Sequence, residues 1–178
     1  MSIPGQGGTY PACRIPSEST SSVARPTSIV RATTFRRAIL LLRMRASIVI
    51  PAHNEGDNLL KTVRSCIETT KGLDCEVLIA DDASSDGSIE ETLDRYPGVR
   101  VVVHRRRKGC SATKDFGARE SRGEVILFID GHCKPERGAI ERLIRVVEAY
   151  DGEAIVIPRV PALDTASWKN SKRLFGQC

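Results

Sequence analysis

Asp130 and His132 stand two residues apart in "FIDGHCKP", Phe128 to Pro135, at the end of an apolar run. A carboxylate oxygen and an imidazole nitrogen are both competent ligands for a divalent ion such as manganese, with the carboxylate supplying the hard oxygen. Gly131 between them lets a ligand approach the backbone closely. The pair would serve equally as hydrogen-bonding groups at the mouth of a buried strand, so by itself it leaves both readings open. Three other polar clusters also follow apolar runs. In "ADDASSDGS", Asp81 and Asp82 are consecutive carboxylates that repel each other. A ribose or a base N–H, from which both can accept, would be a reason to keep them together. The other reading is a turn in which one aspartate caps through Ser84 or Ser85 while its neighbour is solvated. In "HRRRKGCSATKDFG", Arg105, Arg106, Arg107 and Lys108 lead to Gly109 and a helix start, with Lys114 one turn in. Cations beside a helix N-terminus suit phosphates, and such a run is also an ordinary solvated face. "PAHNEGDN" carries neither of the glycine-rich phosphate motifs, G-x-G-x-x-G or G-x-x-x-x-G-K-S/T. It offers Glu55, with His53 and Asn54, either as site groups or as loop polarity and helix capping.

These groups act together only if one scaffold brings them to one edge, and the periodicity describes such a scaffold. "SIVIPA", following Ala46, is a short β-branched run that predicts a buried strand. "NLLKTVRSCIETT" places Leu59, Leu60, Val63, Cys66 and Ile67 on one helical face. "EVLIADD" predicts the second strand, and "SIEETLDRY" a helix opened by a Ser88–Glu91 capping box and stopped at Pro97. "VRVVVH", a helix from about Ser111 to Glu120, and "EVILFID" continue the alternation. "GAIERLIRVVEAY" turns Ile140, Leu143, Ile144 and Val147 inward, and "AIVIP" predicts a fifth strand. Near-continuous apolar strands alternating with helices imply an α/β chain: a mostly parallel sheet, Rossmann-like, with helices on both faces. Ligands in such sheets bind outside the carboxyl ends of the strands, which is where the four clusters lie. Acids for a nucleoside, cations for phosphates and a divalent-ion site along one edge describe a nucleotide-diphosphate site.

At 178 residues the chain holds one domain with a real core. Its net charge is +5, but Met1 to Arg45 carries seven arginines against Glu18, a segment charge of +6. The remainder is therefore 5 − 6 = −1, which gives no electrostatic case for a nucleic-acid partner. The six cysteines have no C-x-x-C spacing, which excludes a regular zinc framework and fits reduced thiols in a cytoplasmic protein. "AILLL" after Arg36 and Arg37 is too short to span a membrane and suggests at most peripheral attachment at its inner face. Residues 1–45, rich in Ser, Thr, Pro, Gly and Arg, read as a disordered basic arm. A mis-called extension ahead of a start at Met44 is the alternative. Residues 46–178 form the folded domain.

Residues Ala46 to about Pro158 resemble the GT-A fold glycosyltransferases, especially the broad family 2 group. The resemblance rests on "SIVIPAHNE", "VLIADDASSDGS", "KGCSATKDFG" and an apolar strand ending in an Asp-x-Asp-like motif, in that order. It implies transfer of a sugar from a nucleotide-diphosphate donor, with UDP as the nucleotide, to a glycan, lipid or protein acceptor. On the family pattern Pro51, Ala52 and Glu55 lie by the base and ribose, and Asp82 contacts the uracil or ribose. Lys114 stands where the family has an arginine near the diphosphate, and Asp115 replaces its asparagine. Asp130 and His132 occupy the Asp-x-Asp positions, whose Mn2+ or Mg2+ bridges the phosphates. The Asp-x-His form is similar to that of the polypeptide N-acetylgalactosaminyltransferases, which implies a UDP-N-acetylhexosamine donor. Family 2 enzymes invert and the Asp-x-His enzymes retain configuration, so the stereochemical outcome stays open. Only 178 − 130 = 48 residues follow Asp130, and the resemblance places the acceptor half and catalytic base later than that. Asp164 is a carboxylate in this stretch, but nothing marks it as the base. The chain therefore reads as a truncated, donor-binding part. A non-catalytic nucleotide-binding fragment and a sugar nucleotidyltransferase are the rival expectations.

Overall fold

The computed structural model describes residues 44–151, 153–158 and 160–174. Four parallel strands form the main sheet: β1 (Met44–Ala52), β2 (Cys75–Asp81), β3 (Arg100–Val103) and β4 (Gly123–Phe128). Helices α1 (Asp57–Thr70), α2 (Ser88–Arg95) and α3 (Cys110–Glu120) connect them in turn, and α4 (Ala139–Ala149) follows β4. The order across the sheet is β3-β2-β1-β4, so the chain steps outward from β1 to β3 and then crosses back to the other side of β1. That reversal makes the β1/β4 boundary a topological switch point, where a crevice opens at the carboxyl ends. The expected α/β architecture is what the chain adopts.

The alternation of side chains along each strand divides the interior. Ile48, Ile50, Val77, Ile79, Val125 and Leu127 face α1, α2 and α4, together with Leu59, Val63, Cys66, Ile140 and Ile144 from the helices. Val49, Leu78 and Ala80 face the opposite way, beneath α3. The reversed crossover accounts for this division, because a right-handed connection running back across the sheet must lie on its other face. A single helix covers only β1 and β2 there, so Ile126 and Phe128 on β4 remain 38% and 47% exposed. The expectation that every strand is buried on both faces therefore fails at β4.

Two further expectations are corrected. "AIVIP" is not a strand: residues 154–158 join no ladder among the described residues, and Ile155 is 94% exposed. A β-branched run supplies strand propensity but not a ladder partner, and among the described residues β4 pairs only with β1. The chain instead forms an antiparallel hairpin of β5 (Pro161–Asp164) and β6 (Lys169–Leu174). The start of α2 is also held differently. Its cap is Gly87, with no side-chain capping bond, and Asp86 accepts hydrogen bonds from the Ser88 amide at 3.1 Å and hydroxyl at 2.6 Å. The arm expected over residues 1–45 lies outside the described residues except at Met44 and Arg45. Both belong to β1, and Arg45 forms a two-pronged pair with Glu148 of α4. No helix among the described residues is long and apolar enough to cross a membrane.

At the amino ends of the strands a buried carboxylate ties three elements together. Glu76 accepts from the Ser47 hydroxyl at 2.6 Å, the Arg122 amide at 2.8 Å and the Arg100 guanidinium at 2.5 Å. Burial works against its charge, but the hydrogen bonds from Ser47, Arg100 and Arg122 prevail and hold it below the usual glutamate range. Removing such an acceptor leaves buried donors unpaired, so Glu76→Ala is expected to cost about 2–3 kcal/mol in urea denaturation. Asp82 and Asp86 are likewise held low, each against opposing burial: Asp82 by the amides of Lys108 and Gly109, Asp86 by Ser88 and the Gly56 amide. A carboxylate whose pKa drops on folding stabilises the fold fully above its unfolded value of about 4. That stability is lost as pH falls toward the folded value. Stability is thus expected to decline steadily below about pH 4, and Glu76→Gln to flatten that decline in acid titrations followed by circular dichroism.

Candidate functional site

The register of the sheet brings the four polar clusters to one edge. Ala52 pairs with Asp81, Asp81 with Val103, and Val49 with Phe128. Beyond the ladders the pairing continues: the Asp82 amide donates to Ala52 O at 2.8 Å, His104 to Asp81 O at 2.9 Å and Ile129 to Val49 O at 3.0 Å. Pro51 and Ala52 are buried at the end of β1, between the loops that follow β2 and β4.

The two aspartates after β2 have separate tasks. Asp81, only 3% exposed, accepts from the Ser84 amide at 3.1 Å and caps the turn, as one of the sequence readings had it. Asp82 is also 3% exposed rather than solvated. Its two oxygens accept from the amides of Lys108 at 2.6 Å and Gly109 at 2.8 Å, stapling the end of β2 to the start of α3. Two of the amides that a phosphate would meet at that helix start are therefore already bonded to protein. The loops after β1 and β2 are zipped together as well. His53 Nδ1 lies 2.8 Å from Asp82 O, the Asn54 amide donates to Ser84 Oγ, the Ser85 amide to Asn54 Oδ1 and the Gly56 amide to Asp86 Oδ2. His53 and Asn54 thus hold loop to loop. The charge-assisted bonds to the Asp82 and Asp86 carboxylates contribute about 1.5–3 kcal/mol each. Asp82→Ala is expected to lower the thermal midpoint and to speed hydrogen exchange at Lys108 and Gly109 more than elsewhere.

The switch point between β1 and β4 gathers the remaining candidates into two pairs, a lysine–aspartate ion pair and a glutamate–histidine contact. Lys114 Nζ, reaching from α3, lies 3.2 Å from Asp130 Oδ1. Burial pulls the Lys114 ammonium down, but Asp130 more than offsets it and raises the pKa. Glu55, from the loop before α1, places Oε2 3.2 Å from His132 Nδ1. The side chains of Asp130 and His132 are both about half exposed, at 52% and 54%, so they face outward from the edge. Gly131 leaves room for the Glu55 side chain: a Cβ on it would stand 2.7 Å from Glu55 Cγ and displace it. Glu55 therefore sits against the Asp130–Cys133 turn.

Among the described residues no three His, Cys, Asp or Glu side chains converge as a metal-holding group. The donors present are nonetheless of the right kind. The Asp130 carboxylate supplies a hard oxygen, and a histidine whose Nδ1 is engaged by a carboxylate presents Nε2 as a ligand of fixed tautomer. Asp164, considered above as a base, is occupied differently: it accepts from the Ala166 amide at 3.0 Å and the Ser167 hydroxyl at 2.7 Å, closing the β5–β6 turn. A concavity of about 930 Å3 lies away from this edge, between the end of α1, residues Lys134–Gly138 and Lys169–Asn170. It contains none of the strand-end acids.

Sequence reasoning passed over the amides of Lys108 and Gly109, which no side-chain pattern betrays, and the buried hydroxyl of Thr62 behind the Asp130–Cys133 turn. The latter lay on the apolar face of α1 and was hidden by the hydrophobic period itself.

Comparison with known proteins agrees with this geometry. The model of the family "Glycosyl transferase family 2" matches residues 47–176. Polypeptide N-acetylgalactosaminyltransferase 6 from Bos taurus is 35% identical over 132 residues, covering 71% of this chain and 21% of the relative. Polypeptide N-acetylgalactosaminyltransferase 10 from Rattus norvegicus is 33% identical over 124 residues, 66% of this chain and 20% of the relative. The chain thus spans about a fifth of the length of the curated relatives it matches. Among solved structures, S. aureus TarS 1-349 in complex with UDP superposes with a TM-score of 0.52 at 17% identity, over 61% of this chain and 33% of that one. That likeness concerns the fold, and the sugar nucleotidyltransferase reading is not favoured. With the family model covering most of the folded part and the strand-end motifs in their expected order, the chain belongs to glycosyl transferase family 2.

Proposed function

We propose that this chain is the donor-binding part of a glycosyltransferase that uses a UDP-linked sugar and a divalent ion, Mn2+ or Mg2+. The observation that carries the reading is the meeting of Lys114, Asp130, His132 and Glu55 at the β1/β4 switch point. Asp130 and the free Nε2 of His132 would hold the ion, which when bound neutralises negative charge on the departing diphosphate. Lys114 contributes a second positive charge from α3, aimed at the same place. Pro51, Ala52 and the buried Asp82 wall the part of the edge where the nucleoside would lie, with Asp82 shaping the loop rather than presenting a bare carboxylate. The names of the relatives support an N-acetylhexosamine as the sugar and a polypeptide as the acceptor. Isothermal titration of the chain with UDP, in Mn2+ and in EDTA, tests the reading. Binding at least tenfold tighter with Mn2+ is expected, and equal heats in the two conditions would remove it.

A further inference from the structure

We propose that Thr62 is a positioning residue for the turn that carries Asp130 and His132. The inference rests on the donor-site reading above and assigns a role to a side chain in the middle of α1. Most hydroxyls on this helix bond back to their own backbone. Ser65 donates to Lys61 O, Thr69 to Ser65 O and Thr70 to Cys66 O, the usual local habit of Ser and Thr in a helix. Thr62 does not follow it. Its hydroxyl, fully buried, donates to Gly131 O at 2.8 Å and accepts from the Cys133 amide at 3.1 Å. One oxygen thereby grips both sides of a four-residue turn nearly seventy positions away, which is closed internally by the Cys133 amide bonding to Asp130 O at 3.2 Å.

The location of this grip gives it consequence. Asp130 and His132 are the first and third residues of the turn, and their side chains point outward with half their surface in solvent. Their relative direction is therefore set by the backbone of the turn. Gly131 O and the Cys133 amide are the polar backbone groups that fasten that turn to α1. Glu55 adds a second brace by lying against Gly131 and reaching His132 Nδ1. A hydroxyl that both donates and accepts can hold a carbonyl and an amide at once, which valine, of the same shape, cannot. Geometry errors of a few tenths of an ångström in a two-ligand site are transmitted directly to metal affinity, and loss of such outer support typically costs about 10–100-fold.

The test uses the full chain with Thr62→Val and Thr62→Ser, and reads UDP affinity in Mn2+ and in EDTA, the Mn2+ electron paramagnetic resonance spectrum, and the thermal midpoint. Thr62→Val is expected to weaken Mn2+-dependent UDP binding about tenfold or more while changing binding in EDTA less than threefold. Thr62→Ser, which keeps the hydroxyl, is expected to restore it. A purely structural role would weaken both conditions together and follow the thermal midpoint, and that pattern overturns the inference, as does wild-type behaviour of Thr62→Val. Should the valine variant not fold, Thr62→Ala takes its place with the same two outcomes. If the unmodified chain shows no Mn2+-dependent UDP binding, the donor-site reading fails and takes this inference with it. If the unmodified chain binds and the variant matches it, only the role of Thr62 is lost.

Discussion

Asp130→Ala is expected to remove Mn2+-dependent UDP binding, a loss of about 100-fold or more measured by calorimetry. On the proposed reading Asp130 would supply the carboxylate of a two-residue ligand set, and His132 alone is a poor site for a hard dication. The same substitution also frees the Lys114 ammonium, whose partner lies 3.2 Å away in the unmodified protein. Binding in EDTA should therefore hold steady or strengthen slightly, because an unpaired cation is left for the diphosphate. Lys114→Ala is expected to weaken binding in both conditions, since it deletes positive charge without touching the ligand set. The fold should be indifferent to either change. With both side chains at least a third exposed, the pair contributes less than about 1 kcal/mol. Unaltered affinity of Asp130→Ala in Mn2+ would dismiss the metal assignment, whatever the stability of the variant.

The largest expected effect on stability is at the other end of β4. A Cβ on Gly123 would stand 2.2 Å from the carbonyl carbon of Ala46 and 2.3 Å from the amide nitrogen of Ser47. Both are backbone atoms of the central strand, so neither can rotate away. The Gly123 amide also donates to Ser47 Oγ at 2.8 Å, which joins this contact to the buried Glu76 network. Gly123→Ala must push β4 off β1 or break that network. A cost of about 3 kcal/mol or more follows from overpacking against fixed atoms, a large share of the stability of a domain this size. The thermal midpoint should fall by about 10 °C. Because β4 carries Asp130 into the site, UDP affinity should weaken with it. A variant melting within a degree or two of the unmodified protein would show that the β1–β4 register differs from the one described here.

Much of this molecule is legible along the chain, for a physical reason that also marks the limit. Helix faces and strand cores repeat at fixed short periods, so "NLLKTVRSCIETT" and "GAIERLIRVVEAY" announce α1 and α4 without any partner. Strand ends are legible too, because polarity returns abruptly when burial stops. "AIVIP" shows where this fails: its composition is that of a strand, yet Ile155 and Ile157 stand almost wholly in solvent. Propensity is local, whereas a ladder requires a neighbour of the right register. The capping box at Ser88 fails similarly, since Asp86, two residues earlier, takes the Ser88 amide and hydroxyl, and the Glu91 amide donates to Gly87 O instead.

The sequence by itself determined the parallel α/β scaffold, the edge on which chemistry would lie, and the kinds of groups present there: carboxylates, a histidine and a lysine. Only the tertiary structure decided their partners. Glu55 meets His132 across 77 positions, and Asp82 meets the Lys108 amide across 26. Thr62 turns from its own helix to Gly131 across 69. Strand register and the crossover that reverses at β1 bring the distant groups within hydrogen-bonding range. That long-range selection makes Asp82 a staple and Thr62 a brace.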